Sequence, residues 1–193
     1  MANSKNIWAA TLHEDGGSFY RAPLGTPLPD DALDVLDAAF KDHGWMGDDG
    51  FKVSPKRDTT KHKAFGGSTV KTTQDNYECT VTATIYEQNI VTLKTVFGDS
   101  NVTVDYSSGH AKYRVEWSDA QLPRSSFIQR YIDGRKTALN VIEEGQIVEI
   151  EDIEYVHDQL VKFTVHIDVY KPESGNPGVY SLIDDPDATG TGS

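Results

Sequence analysis

Residues 77–85 of the chain read Tyr-Glu-Cys-Thr-Val-Thr-Ala-Thr-Ile, and apolar side chains occupy every second position from Cys79 onward. This period is typical of a β-strand, whose successive side chains point to opposite faces of a sheet. The same alternation runs through residues 161–169 and 111–117. Because antiparallel sheets commonly have one face in the core and one in water, three such runs predict an antiparallel, half-solvated sheet.

Shorter strand-like runs surround these three stretches and are separated by turn signals such as Ser107-Ser108-Gly109, Asp133-Gly134 and Glu144-Gly145, which suit hairpins. The runs cover residues 18–22, 51–54, 69–73, 101–106, 126–132, 137–142 and 146–155. We therefore predict a mainly β (β-rich α+β) fold, an antiparallel β-sandwich or barrel with one flanking helix.

Two segments break the strand pattern. Residues 30–40 carry apolar side chains at helical spacing, with Asp30 as a suitable N-cap and Gly44 beyond the end, and they predict the flanking helix. Residues 88–97 also place apolar side chains on one helical face, although their β-branched residues favour a strand. We interpret this second segment as a short helix.

The 193 residues indicate a single β-domain over residues 1–170. Within it, residues 55–67 are polar and end in glycines, and a stretch of this length predicts a long charged loop with a function of its own. Residues 171–193 contain three prolines and a Gly, Ser and Asp-rich end, so we expect an extended arm or disordered tail there.

The net charge of −12 and a pI near 4.8 oppose tight binding to a phosphate backbone, which disfavours a nucleic-acid-binding protein. A single cysteine, Cys79, excludes an internal disulfide framework and a cysteine-based zinc cluster. Neither a signal-length nor a membrane-length apolar segment is present in the sequence, so we expect a soluble chain made in the cytosol.

Charge is unevenly distributed along the chain. Residues 52–71 contain six basic residues and one acid, whereas residues 143–154 contain six acids and no Lys or Arg. A basic and an acidic surface on one molecule suit the two halves of a head-to-tail contact between copies. Two independently solvated surfaces would give the same pattern.

No motif predicts catalysis, a cofactor or a metal. The string Gly98-Asp99-Ser100 resembles the nucleophile block of one hydrolase class, but the chain lacks the Gly-x-Asn-Asp and Asp-x-x-His blocks that would complete it. The six histidines form no pair at metal-ligand spacing, and Cys79 lies on the apolar side of its strand. By elimination, we expect a binding or assembly protein and not an enzyme.

Several stretches, taken in order, resemble the major tail tube proteins of bacteriophages with long, non-contractile tails (siphovirus-like), especially those infecting actinobacteria. The resemblance covers residues 8–170 approximately. It is carried by Trp8-Ala9-Ala10, by residues 19–29, by the acidic segment 33–40, and by residues 43–51, 86–87 and 97–102.

This resemblance implies a β-sandwich or barrel-like fold related to the tube protein of type VI secretion. It further implies that six copies form a ring and that rings stack into a hollow tail tube. Such a tube would enclose the tape-measure protein, meet tail terminator and distal tail or baseplate proteins at its ends, and conduct DNA without specific binding. The expected location is the virion, after assembly in the host cytoplasm, and no reaction is expected.

Two groups of residues become candidates for assembly sites on this interpretation. One is the basic set in the expected loop, which would reach an acidic surface on an adjacent subunit or ring: Lys56, Arg57, Lys61 and Lys63. The other is an acidic set that would face the lumen or an interface: Glu149, Glu151, Glu154 and Asp168. Carboxylates along a lumen would repel phosphates and let DNA slide.

Other functions remain open at this point. A related tail protein, such as a terminator or connector, would share the fold but stop at one ring. A monomeric carbohydrate-binding β-sandwich would expose an aromatic cluster on one face. A hydrolase that uses Ser100 is the weakest alternative.

Overall fold

Ten β-strands, one α-helix and one short 3-10 helix make up the part of the chain that the computed structural model describes, residues 7–11 and 18–188. The strands are β1 (Phe19–Pro23), β2 (Lys41–Asp42), β3 (Met46–Lys63), β4 (Thr69–Ile85), β5 (Val102–Asp105), β6 (Lys112–Val115), β7 (Ser125–Asp133), β8 (Lys136–Ile150), β9 (Phe163–Val169) and β10 (Val179–Asp184). Helix α1 spans Ile90–Phe97, and the 3-10 helix spans Asp99–Asn101.

The main sheet is antiparallel throughout, with the strand order β2-β1-β7-β8-β9-β4-β3. Strand β10 joins the same edge of β8 as β9 does: β10 pairs with residues 137–142 of β8, and β9 pairs with residues 145–150. Strands β5 and β6 form a separate hairpin. The predicted β-rich, antiparallel class with a helix is therefore confirmed.

The core lies on both faces of this sheet. Adjacent residues of one strand separate the two sides, since Phe127 belongs to one apolar cluster and Ile128 to the other, and Ile142 and Val141 divide in the same way. Helix α1 covers the larger cluster with Leu93 and Val96, and the segment before β2 covers the smaller one. Strands β7 and β8 thus form a middle layer.

The helix predicted over residues 30–40 is absent, and that prediction is wrong. Turns replace it: the Asp34 carboxylate accepts from the N–H groups of Asp30 and Asp31, and the Asp37 carboxylate accepts from the N–H of Ala39 at 2.8 Å. Short acidic side chains compete with helical hydrogen bonds in this way. Phe40 is still buried, so the apolar spacing indicated burial without indicating a helix.

The short helix predicted over residues 88–97 is present as α1 and supplies the helix of the fold. The Asn89 side chain caps its start by accepting from the Thr92 N–H at 2.9 Å, and Gly98, with φ of +99°, ends it. Tertiary burial of Thr92, Leu93, Thr95 and Val96 outweighs the strand preference of its β-branched residues.

The long charged loop predicted over residues 55–67 is absent, and that prediction is wrong. Residues 55–63 continue strand β3, and only residues 64–68 make a turn. Likewise, Glu144-Gly145 is no hairpin turn: β8 runs through it without a break. A Cβ atom at residue 145 would lie 2.7 Å from Cγ2 of Ile167, so close packing against β9 requires glycine there. Strand β8 ends at Ile150, and residues 179–184, within the expected C-terminal arm, form β10.

One buried histidine connects three parts of this fold. His43, between β2 and β3, is fully buried, and its Nδ1 lies 2.9 Å from the Phe19 carbonyl oxygen. A carbonyl only accepts, so Nδ1 carries the proton, and Nε2 accepts from the Thr95 hydroxyl of α1 at 2.9 Å. Burial lowers the pKa of His43 from 6.5 to about 4, because the charged imidazolium would lose its hydration.

We predict that this histidine makes the fold sensitive to acid. Between pH 6.5 and 4 the unfolded chain binds a proton at residue 43 that the folded chain does not, so the free energy of unfolding falls as the pH is lowered. Relative to His43→Gln, the wild type should lose on the order of 2–3 kcal/mol between pH 7 and 4.5 in urea titrations. A difference between the two proteins that does not change with pH would contradict this.

Candidate assembly surfaces

The β3–β4 hairpin extends well beyond the main sheet. Strand β4 pairs with β9 only from Thr80 to Ile85, so residues 69–79 of β4 have only residues 55–63 of β3 as their partner. We call residues 55–79, with the turn at 64–68, the ribbon. At about 3.4 Å per residue, its nine-residue β3 side is about 30 Å long.

The ribbon is exposed on both faces, and nearly all of its side chains face solvent. Its apolar side chains include Val70 and Tyr77, both at least half exposed, and Phe65 in the turn is fully exposed. An isolated two-stranded hairpin is marginally stable in water, and an unpaired strand edge offers backbone groups to another chain. The ribbon therefore has the properties of a surface that contacts a partner.

All four basic candidates lie on the β3 side of the ribbon. Two interact within it: Lys56 Nζ is 3.7 Å from an Asp58 carboxylate oxygen, and the Arg57 guanidinium lies 5.0 Å from the centre of the Tyr77 ring. Lys61 and Lys63 form no ion pair with any residue that the structure describes. These two ammonium groups have the least compensated charge of the set.

The structure brings three of the four acidic candidates together. Glu149 at the end of β8 and Glu151 and Glu154 in the irregular segment 151–162 line one cavity of about 500 Å³, which we call the acidic cavity. Asp168 lies apart from it on β9, where its carboxylate accepts from the Thr80 hydroxyl at 3.3 Å. Position in the strand pattern alone could not separate Asp168 from the others.

Two polar contacts connect the acidic cavity to the sheet. Glu151 Oε1 lies 3.0 Å from Nε2 of His166 on β9. Lys162, at the cavity wall, donates to the Asp49 carboxylate at 2.9 Å, and this hydrogen bond, with the charge of Lys162, lowers the pKa of Asp49. The partners in the second contact are 113 residues apart in sequence, so no local pattern predicted it.

A second cavity, mainly apolar, has a volume of about 510 Å³, and we call it the groove. Its apolar lining comes from three parts of the chain. Helix α1 contributes Val96 and Phe97, and the segment after β6 contributes Trp117 and Leu122. The end of β8 and the residues that follow it contribute Ile147, Ile150 and Ile153. Trp117 is 72% exposed and meets the Phe97 ring edge-on at 4.8 Å. Four acids also line it: Asp119, Glu149, Glu151 and Asp152.

The Ser100 hydroxyl donates to Asn101 Oδ1 at 3.4 Å, and among the described residues it has no hydrogen bond to a histidine. No group of three or more His, Cys, Asp or Glu side chains in residues 7–11 and 18–188 is placed to hold a metal ion. No helix among the described residues has the length and apolar content to span a membrane.

Known proteins include a family and a solved structure that are similar to this chain. Residues 2–191 match the model of a family described as phage tail tube protein. No curated protein matches the chain. Among solved structures, the chain is similar to one in the virion of a native gene transfer agent particle, with 9% sequence identity, a TM-score of 0.41, and coverage of 91% of this chain and 100% of that one.

We predict that backbone protection changes abruptly within strand β4. In the isolated subunit, amides of residues 69–78 should exchange with deuterium at least roughly 100-fold faster than those of residues 80–85, because only the latter lie between two strands. Hydrogen-exchange mass spectrometry measures both halves in one sample. Uniform protection along β4 would show that the ribbon is stable by itself.

Proposed function

The chain belongs to the phage tail tube protein family, and from this premise we propose that its copies close into hexameric rings that stack into the hollow tube of the tail. As a member of this family it is a structural subunit of the tail tube and a component of the virion. In the proposed tube, the rings enclose the tape-measure protein, meet terminator and distal tail proteins at the two ends, and leave a channel through which DNA passes.

The ribbon is the observation that carries this proposal. A two-stranded element about 30 Å long, exposed on both faces, has no stabilising neighbour among the residues that the structure describes. Contact with another copy would cover its apolar side chains and pair its free edge. An interface between two different surfaces of identical copies generates rings when the rotation closes and filaments when rings stack.

Charge supports the same arrangement. Lys56, Arg57, Lys61 and Lys63 give the ribbon a basic side, whereas the acidic cavity presents Glu149, Glu151 and Glu154 from the same chain. Opposite charges on two surfaces of one protein speed the encounter of copies and select their orientation. We propose that the basic side of one ribbon meets the acidic cavity region of a neighbour.

The carboxylates outside these contacts have a second role in the proposed tube. With a net charge of −12, the subunit presents mostly negative surface, and Asp168 remains a candidate for the lumen or an interface. A negative lumen repels phosphates, and DNA then passes without the counterion release that tight binding requires.

Electron microscopy of the purified protein over a concentration series tests this function. We expect hollow filaments of uniform width, accompanied by rising light scattering. Single rings that never stack would instead indicate a terminator or connector. A strictly monomeric particle at every concentration would contradict self-assembly of the isolated protein.

We predict that K61E with K63E impairs tube formation while leaving the subunit folded. These two lysines have no ion pair within the described residues, so reversing them leaves the internal contacts of the ribbon intact while repelling the acidic surface of a neighbour. The protein concentration at which filaments appear should rise at least roughly tenfold, as measured by light scattering and electron microscopy.

The matched control is K112E with K171E, two exposed lysines outside the ribbon that form no ion pair within the described residues, and it changes the net charge by the same amount. This control should assemble nearly as the wild type does, and both variants should keep the circular dichroism spectrum of the folded protein. Equal impairment of the two variants would mean that total charge, and not the ribbon, governs assembly.

A further inference from the structure

We propose that Phe65, at the tip of the ribbon of one copy, inserts into the groove of a second copy. The inference rests on the proposed self-assembly and names the surface that receives the ribbon. Phe65 and the groove are distinct surfaces of one chain, so the contact is heterologous, and wherever it does not close into a ring it leaves a free tip at one end of the assembly and a free groove at the other.

The tip is built to present one aromatic side chain. The Gly67 N–H donates to the Ala64 carbonyl at 3.0 Å, and the Ala64 N–H donates to the Ser68 carbonyl at 2.8 Å, which closes a tight turn around Phe65. Gly66 and Gly67 have φ of +105° and +93°, and a Cβ at either would meet nothing within 4 Å. The phenyl ring of Phe65 therefore projects into solvent.

The groove offers an apolar seat for such a ring. Phe97, Leu122 and Ile150 are among its apolar lining, and the exposed Trp117 adds a large aromatic surface. Its volume of about 510 Å³ exceeds what one phenyl ring fills, which leaves space for neighbouring atoms of the turn. Aromatic side chains seated in pockets are the usual anchors of protein interfaces, and polar groups around them exclude water.

Charge selects this groove over the other cavities. The distal ribbon, residues 60–72, carries three lysines and no acid, while the groove is lined by four acids and by no Lys or Arg. The cavity between β1 and α1 has Arg21, Lys41 and Lys94 in its lining against one acid, Asp99, which pairs with Arg21, and the remaining positive charge would repel the lysines of the ribbon. The acidic cavity has mainly polar walls and lacks an apolar seat for a phenyl ring.

Complementation between two defective variants tests the contact in the full chain. F65A removes the anchor but keeps the groove, and A120W fills the groove from an exposed position but keeps the tip. Each alone should need roughly 100-fold more protein to associate, as measured by sedimentation velocity. Mixed in equal amounts, they should form pairs that do not extend, since the tip of A120W still fits the groove of F65A.

Cysteine cross-linking tests the contact between the ribbon tip and the groove directly. A64C combined with A120C, which keeps Phe65 in place, should give disulfide-linked oligomers under oxidation, whereas Y77C with A120C, whose first cysteine lies near the base of the ribbon opposite Arg57, should not. The native Cys79 is buried and should stay unlinked in the wild-type control. No cross-link above the Y77C level, or no pairs in the mixture, would overturn the inference.

The outcomes also separate this inference from the proposed function. Tubes that form normally with F65A would overturn the tip contact and leave the tube subunit in place. Linked pairs from A64C with A120C in a protein that never forms rings or tubes would support the contact and contradict the tube.

Discussion

Backbone pairing along both edges of strand β8 is the constraint on which the rest of the structure depends. One edge is paired with β7, and the other is shared end to end by β10 and β9. Both faces are buried, by Val141 on one side and Ile142 on the other. Because both edges of the central strand are hydrogen-bonded, the unpaired edges of the sheet lie at its outer strands, where β3 continues into the ribbon.

The sequence predicted this sheet where burial is one-sided and failed where it is not. Residues 77–85 and 161–169 alternate because side chains on one face of each strand, such as Thr82 and His166, remain partly exposed to solvent. Strand β8 is buried on both faces around Val141, so its pattern is continuous and Gly145 looked like a turn. The ribbon is polar on both faces, so its β3 side gave no strand signal and its β4 side gave only the short run at residues 69–73, although both strands are long.

Of the candidate surfaces, the one whose residues are neighbours in sequence could be predicted, whereas the one that the fold assembles from distant segments could not. A count of charges was enough to place Lys56, Arg57, Lys61 and Lys63 on one element, because they are neighbours in sequence. The groove could not be predicted, since its walls come from α1, the segment after β6 and the end of β8, and only the fold joins them. Helix α1 could be predicted because its apolar residues Ile90, Leu93 and Phe97 share one helical face within a single local segment.

The separation of ribbon and groove on one subunit gives any assembly joined through them a direction. Every copy would point the same way, and the two ends of the tube would differ chemically. One end would display cationic hairpins with an exposed aromatic tip, and the other would display vacant, acid-rimmed apolar grooves. A protein that starts the tube and one that closes it would therefore need opposite surfaces, and neither could take the place of the other.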